Sequence, residues 1–413
     1  PRRYAEEVLR QAGSRLPVWK DELQHHASGC YSAQSEIKRL NRMAENRLIR
    51  AEKFAAAASI LFGAEYPAES VRKAWENVLF CQFHDILGGC SIKAAYDDAR
   101  EMLGESLSAA AKILNFSVQK ISKRIDTMLE GAELGGKTDW VFWNEGELPV
   151  PVVLFNSLPW EVDAPITMNH KIEGVTDDQG RSLPIQAVQS CKGNGADLYD
   201  FVFRAKIPAF GYRTYWMHKN TKPEEAQAPF LSVEGSILEN DFLKLTVDEN
   251  SGFVSLFDKI AGREVFAGEG AIPVVVDDSE HDTWAHNHFV FRKNLGAMQC
   301  TGVALLEKGP VRALVRAKYR YGQSELWQDF ILYAEADHVE VRCKAFWREP
   351  ETILKISFPL AGTDITPTYE IPYGHITRPA NGEEEPGLAF VDAVGSEQGR
   401  QVGFALANDS KYS

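Results

Sequence analysis

Residues 80–91 read FCQFHDILGGCS, an apolar run that ends on a histidine beside an aspartate and then on a pair of glycines. His84 and Asp85 are the side chains in this stretch best suited to chemistry. An imidazole is a common ligand for divalent metals, and an adjacent carboxylate can orient it, share a cation or accept hydroxyl hydrogens. Gly88 and Gly89 add weight, because they remove side chains where a ligand could approach the backbone. The structural alternative is a helix end: His84 in the last turn, favourably placed against the helix dipole, and Asp85 opening a turn. A thiol site is a third reading, since Cys81 and His84 are three residues apart and Cys90 is close by. No Cys-x-x-Cys pair accompanies them, whereas structural zinc sites show paired ligands at fixed spacing, and a free cysteine in an apolar run behaves as a small hydrophobe.

A second dense group is the loop DDSEHDTWAHNHF, residues 277–289, with Asp277, Asp278, Glu280, His281, Asp282, His286 and His288 around Trp284. Metal or sugar binding would suit it, and so would a solvated loop between two strands. Trp284 tilts the reading toward sugar, because an aromatic ring among hydrogen-bonding side chains is the usual make-up of a carbohydrate-stacking surface. The chain has no P-loop, no H-E-x-x-H, no G-x-S-x-G and no G-x-G-x-x-G between a strand and a helix. Phosphoryl, peptidase and nucleotide chemistry therefore lose support.

The elements that carry these groups follow from apolar spacing. From Ser32 to Phe62 the residues Ile37, Leu40, Ala44, Leu48, Ala51, Ala55 and Ala58 recur at three and four. This spacing predicts a helix capped by Ser32 or Ser35 and closed by Gly63. A second helix is predicted from Pro67 to the glycines at 88 and 89, with Val71, Ala74, Trp75, Val78 and Leu79 on one stripe. A third follows Ser91 and runs through Ile125. Three helices with short loops predict a bundle. After EGAELGGKTDW the pattern changes to alternating β-branched and aromatic runs, such as PVPVVLFN and YDFVFRAKIP. A polar linker, HKNTKPEEAQAP, separates them from a longer strand region. There FLKLTVDENSGFVSLFDK reads as two strands around a turn, and 311–347 as a meander, which together predict sandwich architecture.

At 413 residues the chain exceeds the size at which one core keeps growing, and 44% hydrophobic with 25% charged residues is an ordinary globular composition. The expected division is a short segment at 1–30, helices at 31–130, a small β-sandwich at 139–220 and a large one at 229–413. No run reaches the roughly 18 apolar residues of a membrane helix. The formal charge of −13 argues against nucleic acid and anionic membrane surfaces. Six scattered cysteines, unlike a disulfide framework, favour a reducing cytoplasm.

Several stretches together resemble the α-mannosidases of the glycoside hydrolase 38 type. They are GCYSAQSEIKRLNRMAENRL, AWENVLFCQFHDILGGCSI, LFNSLPWE, ENDFLKLTVDENSGFVSLFDKIAGREV, DTWAH, YEIPYGHITRPANGEEEP and ALANDSKY, ordered as in that family. The resemblance implies a multidomain protein, α then β: a three-helix middle domain, then antiparallel β-sandwiches, the larger a mutarotase-like supersandwich. It also implies a catalytic α/β barrel ahead of Pro1, with residues 1–30 its end. Such enzymes hydrolyse α-mannosides with retention, one carboxylate attacking the anomeric carbon and a second carboxyl group acting as acid and base. They hold one divalent metal, usually zinc. Carried over, His84 is the expected metal ligand and Asp85 binds mannose hydroxyls; Asp282 and Trp284 are expected as further substrate contacts from the composition of their loop. The nucleophile and acid/base are expected upstream of Pro1, which makes this chain inactive alone. A carbohydrate is then the expected partner, and homo-oligomer formation stays open. The other class in contention is a non-catalytic carbohydrate-binding β-sandwich protein.

Overall fold

A computed structural model describes residues 2–18, 27–129, 148–194 and 197–408. The change from helix to strand character at 130–140 falls outside them, as does the end of the ALANDSKY motif. Among the described residues the α-helices come first: α1 (Arg2–Ala12), α2 (Ser35–Phe62), α3 (Ala68–Cys81), α4 (His84–Leu87) and α5 (Lys93–Ser122). The rest is antiparallel β-structure. No helix among the described residues is long and apolar enough to cross a membrane.

Helices α2, α3 and α5 share one core, in which Ile37, Ala44, Leu48 and Ala51 meet Val71, Ala74 and Val78 and then Tyr96, Ala99 and Leu103. Small alanines on α2 let α5 approach closely along its length. The end of α2 is as the spacing predicts, with Gly63 in the left-handed region at φ 66 and its N–H bonded back to the last turn. Its start is not. Gln34, in left-handed conformation, precedes α2, and no side chain caps the first turn.

The second predicted helix also differs, for it breaks before His84. Gln82 reaches across to α2, donating to Asn41 Oδ1 (3.2 Å) and Glu45 Oε1 (2.8 Å). Phe83 then turns extended (φ −53, ψ 136), and a new one-turn helix begins at His84. Ile86 of that turn re-enters the core, so apolar spacing alone runs straight through the break. His84 consequently opens a helix instead of closing one, and the helix-dipole reading of its position does not apply. Leu79 also leaves its predicted stripe and is 61% exposed.

The small β-sandwich packs a four-stranded sheet (order 150–155, 212–218, 174–176, 182–183) on a three-stranded one (162–168, 197–207, 186–194). Val175, Phe203, Ala205, Tyr215 and Met217 fill the space between. Asn156 of the LFNSLPWE motif fixes one corner by donating to Trp160, Ile207 and Pro208 carbonyls while accepting from Leu158 N–H.

The large β-region contains a five-stranded sheet (263–264, 254–258, 243–247, 237–239, 232–234) facing a four-stranded meander (299–308, 312–321, 324–333, 339–346). Their shared core includes Leu238, Leu245, Val254, Val315, Tyr319, Leu326 and Phe330. The predicted turn at 248–252 forms as expected: Asp248 accepts from Asn250 and Ser251 N–H, and Gly252 adopts φ 71 beneath the Tyr319 ring. A three-stranded sheet (294–297, 272–277, 352–357) and a four-stranded one (374–377, 363–371, 390–397, 400–407) complete the region.

Asn240 pins the two facing sheets. It is fully buried, donates to the carbonyls of Tyr333 (2.8 Å) and Ala336 (2.7 Å), and accepts from the N–H groups of Phe242 and Leu243. Removing an amide so fully used strands four backbone groups, three of them in buried bonds, at a cost on the order of 3 kcal/mol. Asn240→Ala is therefore expected to lower the thermal unfolding midpoint of the β-region by several degrees, measured by near-ultraviolet circular dichroism. An unchanged midpoint would contradict this role.

Candidate functional site

Three chain segments meet at one corner of the molecule: residues 27–33, the turn from α4 to Cys90, and the loop 282–288. Gly29 N–H donates to the Trp284 carbonyl (3.0 Å), Ser28 Oγ donates to the His288 carbonyl, and Ala27 pairs with His286. The approach is closer than side chains permit. A Cβ on Gly29 would lie 2.8 Å from the Thr283 oxygen, and one on Gly89, which has φ +93, 2.6 Å from Ala33 Cβ. One on Gly88 would run into the His84 carbonyl oxygen and lie 3.2 Å from Trp284 Nε1. The two glycines of the opening motif thus make room for the protein's own chain, and the expectation that they admit a ligand is not needed to explain them. Lys38, buried on α2, closes the corner by donating to the Leu87 carbonyl (2.7 Å) and to that of Ala33.

On this base His84 and Asp85 point outward, their side chains 66% and 47% exposed and 3.4 Å apart (Nε2 to Oδ1). An ion pair so exposed contributes about 0–1 kcal/mol, so α4 and its glycine corner set the geometry and the pair does not. The His84 ring lies beside Phe83 (4.3 Å between centroids) and edge-on to Trp284 at 6.1 Å. The backbone of Asp85 is held by Tyr96, whose hydroxyl donates to its carbonyl (3.4 Å), and its carboxylate accepts from the Cys90 thiol (3.3 Å).

The thiol alternative does not assemble. Cys81 is fully buried with its Sγ directed at the Ala99 carbonyl, away from His84. All five cysteines described are free thiols. Desolvation pushes the Cys90 thiol up, reinforced by the hydrogen bond and negative charge of Asp85.

In the loop, Asp282 organises its own turn. It accepts from Trp284 N–H (3.1 Å) and from His286 Nδ1 (2.8 Å), and the His286 bond holds its carboxyl below the usual carboxylate range. Its side chain is still 60% exposed. Trp284 is half-buried, with its indole nitrogen turned toward Gly88. His281 and His288 stack at 3.7 Å, next to Asp278, whose carboxyl is pushed up by burial. Asp277 is paired with Lys293 and held well below the ordinary range. The two stretches that stood apart in the sequence thus share one surface through the contact of Trp284 with His84 and Gly88.

Zinc needs three or four protein donors, and here His84 and Asp85 are two. Among the described residues no group of three or more His, Cys, Asp and Glu is placed to hold a metal. These residues do not by themselves fit the ion.

Beside His84 lies an apolar shoulder that periodicity missed. Leu79, Phe80 and Phe83 are 61%, 62% and 51% exposed and, with Gln82, line an open pocket of about 480 Å³. The signal was present in the sequence, since Phe80 and Phe83 fall off the stripe of Val71, Ala74 and Val78. An apolar surface of this kind, beside polar side chains, is typical of a contact region.

Two family profiles match the chain: the α-mannosidase middle domain over residues 25–121, and the glycosyl hydrolases family 38 C-terminal domain over residues 238–413. The chain belongs to glycosyl hydrolase family 38. The first profile contains α2, α3, α4, nearly all of α5 and the His84–Asp85 corner, and the second contains the loop of Asp282 and Trp284. Alpha-mannosidase G of Dictyostelium discoideum is 26% identical over 97% of this chain and 38% of its own length. Alpha-mannosidase 2C1 of Homo sapiens is 26% identical over 98% of the chain and 36% of its own. The chain therefore spans little more than a third of these curated relatives. A family 38 protein of Enterococcus faecalis has the same fold, with a TM-score of 0.72 at 16% identity over 98% of this chain and 56% of that one.

The family 38 corner makes a chemical statement that can be checked. Because Asp85 raises the Cys90 thiol, Asp85→Asn is expected to speed alkylation of Cys90 by iodoacetamide near neutral pH, where the thiolate fraction limits the rate. Mass spectrometry of the Cys90 peptide reads it. An equal or slower rate in the variant would mean that Asp85 does not face the thiol.

Proposed function

We propose that this chain is the middle and C-terminal part of an α-mannosidase that hydrolyses terminal α-mannosyl residues of oligosaccharides or mannosides with retention of configuration. The reading rests above all on one observation: His84 and Asp85 stand side by side and exposed, on a rigid corner within the segment that matches the α-mannosidase middle domain. Solvent-facing polar groups held by a corner this tightly packed suit a role in binding better than a role in folding.

In this reading His84 supplies one donor to a divalent cation of the kind that imidazole suits, zinc among them, and Asp85 accepts hydroxyl hydrogens of the sugar. A bound zinc ion would contribute positive charge and fix neighbouring sugar hydroxyls. The remaining ligands, the nucleophile and the acid/base carboxyl group are carried outside the residues described. Asp282 and Trp284 flank the sugar, although the hydrogen bonds of Asp282 to its own loop already account for its place there. The exposed apolar shoulder of Leu79, Phe80 and Phe83 is the surface against which the rest of the catalytic centre closes and excludes water. The chain alone is inactive on this proposal.

Two measurements test it. The full-length protein is expected to hydrolyse an aryl α-mannoside, and His84→Ala to lower kcat/KM by about a hundredfold or more, as loss of a metal ligand or its support does. Wild-type turnover by that variant would overturn the assignment of His84. This chain by itself is expected to bind no zinc stoichiometrically in calorimetry, because one imidazole and one carboxylate do not make a site. Tight one-to-one binding would require a different donor set.

A further inference from the structure

The outer face of the four-stranded meander is divided in two. One half, around Leu314, Ile331 and Tyr333, is buried beneath Val188 and Val202 of the small sandwich. The other half is open and basic. Its register places Lys318, Trp327 and Lys344 directly opposite one another on three adjacent strands, with Arg316 and Arg342 in the row on one side and Arg320 and Glu325 on the other.

Cations therefore stand in two parallel columns along the strands, at the two-residue repeat of about 6.5 Å, and flank a central indole. Arg316 is neutralised by Asp329 at 2.5 Å, and Arg342 by Glu340 at 2.6 Å. Lys318, Lys344 and Arg320 form no ion pair with a carboxylate among the described residues. The ammonium groups of Lys318 and Lys344 lie 4.9 and 5.4 Å from the Trp327 ring centroid, and the Arg316 guanidinium 5.0 Å from it. Such contacts contribute about 0.5–1 kcal/mol each at exposed sites. They gather three cations around one ring, and a negatively charged ligand would offset the repulsion among them. This face carries an excess of positive charge on a chain whose net charge is −13.

We propose that this half-sheet binds a linear acidic oligosaccharide lying along the strands, its anionic groups drawn to Lys318, Lys344 and Arg320. Glu325, exposed between the cation columns, accepts sugar hydroxyls. The same carboxylate favours such a ligand over a DNA strand, whose sugar hydroxyls are taken up in phosphodiesters and offer it no donor. The site lies on the large β-region, on elements separate from those that carry His84 and Asp85, and does not depend on the mannosidase reading.

The test is calorimetry on this chain at low salt, with a galacturonic acid oligomer, a neutral glucose oligomer of equal length, a single-stranded oligonucleotide and inorganic sulfate. The acidic oligosaccharide is expected to bind, to weaken as salt rises, and to lose about tenfold or more in affinity in Lys318→Gln/Lys344→Gln. Lys318→Arg/Lys344→Arg, which keeps the charge, should retain it. Equal binding of the neutral oligomer, tighter binding of the oligonucleotide, full displacement by sulfate at matched charge, or unchanged affinity in the glutamine variant would each overturn the proposal.

Discussion

The structure depends on a steric constraint: three backbone segments meet more closely than a Cβ allows. Gly29, Gly88 and Gly89 are the positions where that approach happens, and in each case the space a side chain would need is taken by the chain itself. Once the loop of Trp284 is seated on the α4 turn, the helical and strand regions are joined across some two hundred residues of sequence. His84 is then fixed without having to be buried. A polar pair held in place by its own contacts would need strong ones, whereas an exposed histidine–aspartate contact contributes almost nothing. Placing the strain in the glycines lets the functional side chains stay open to solvent.

Buried polar groups do similar work elsewhere. Asn156 and Asn240 each close a corner with both amide atoms used. An asparagine that bonds backbone on two strands defines one register, which an apolar residue of the same size could not do. Between the sandwiches Gln186 takes this part, its Oε1 accepting from the N–H groups of Val311 and Arg312 where Gly309 leaves room. The domains are thus joined by directional bonds as well as by the apolar cluster around Val188 and Ile331.

Much of this was legible in the sequence, and the rest was hidden for identifiable reasons. The periods of three and four located α2, α3 and α5, and the alternation after residue 148 located the strands. The meander of 312–346 and the turn ending at Gly252 follow from local pattern alone. The break at Gln82 and Phe83 did not show, because Ile86 keeps the apolar pattern going while the backbone changes direction. What stops α3 is a contact of Gln82 with α2, forty residues away in sequence. His84 and Asp282 each drew attention by residue type. That both belong to one corner depends on long-range packing that no local window contains. In the sequence alone the glycines suggest access for a ligand, because it does not reveal what fills the space.

The charge distribution follows the same logic on a larger scale. A net charge of −13 averages over surfaces that differ in sign, and the strand register is what sorts them. On the meander, odd-numbered residues of 312–321 face the core and even-numbered ones face out, so Arg316, Lys318 and Arg320 are gathered on one side by a period of two. Where the small sandwich covers that side, Arg312 is buried, and it is paired with Glu307 at 2.6 Å. Where none of the described residues covers it, Lys318 and Lys344 have no such partner among them. An arginine under cover must carry its own counter-charge, since an unpaired buried charge costs several kcal/mol, while exposed lysines can leave theirs to be supplied from outside. Glu307 pairs the covered arginine, while among the described residues no carboxylate forms an ion pair with Lys318 or Lys344, and this separates a charge built into the fold from charges available for recognition.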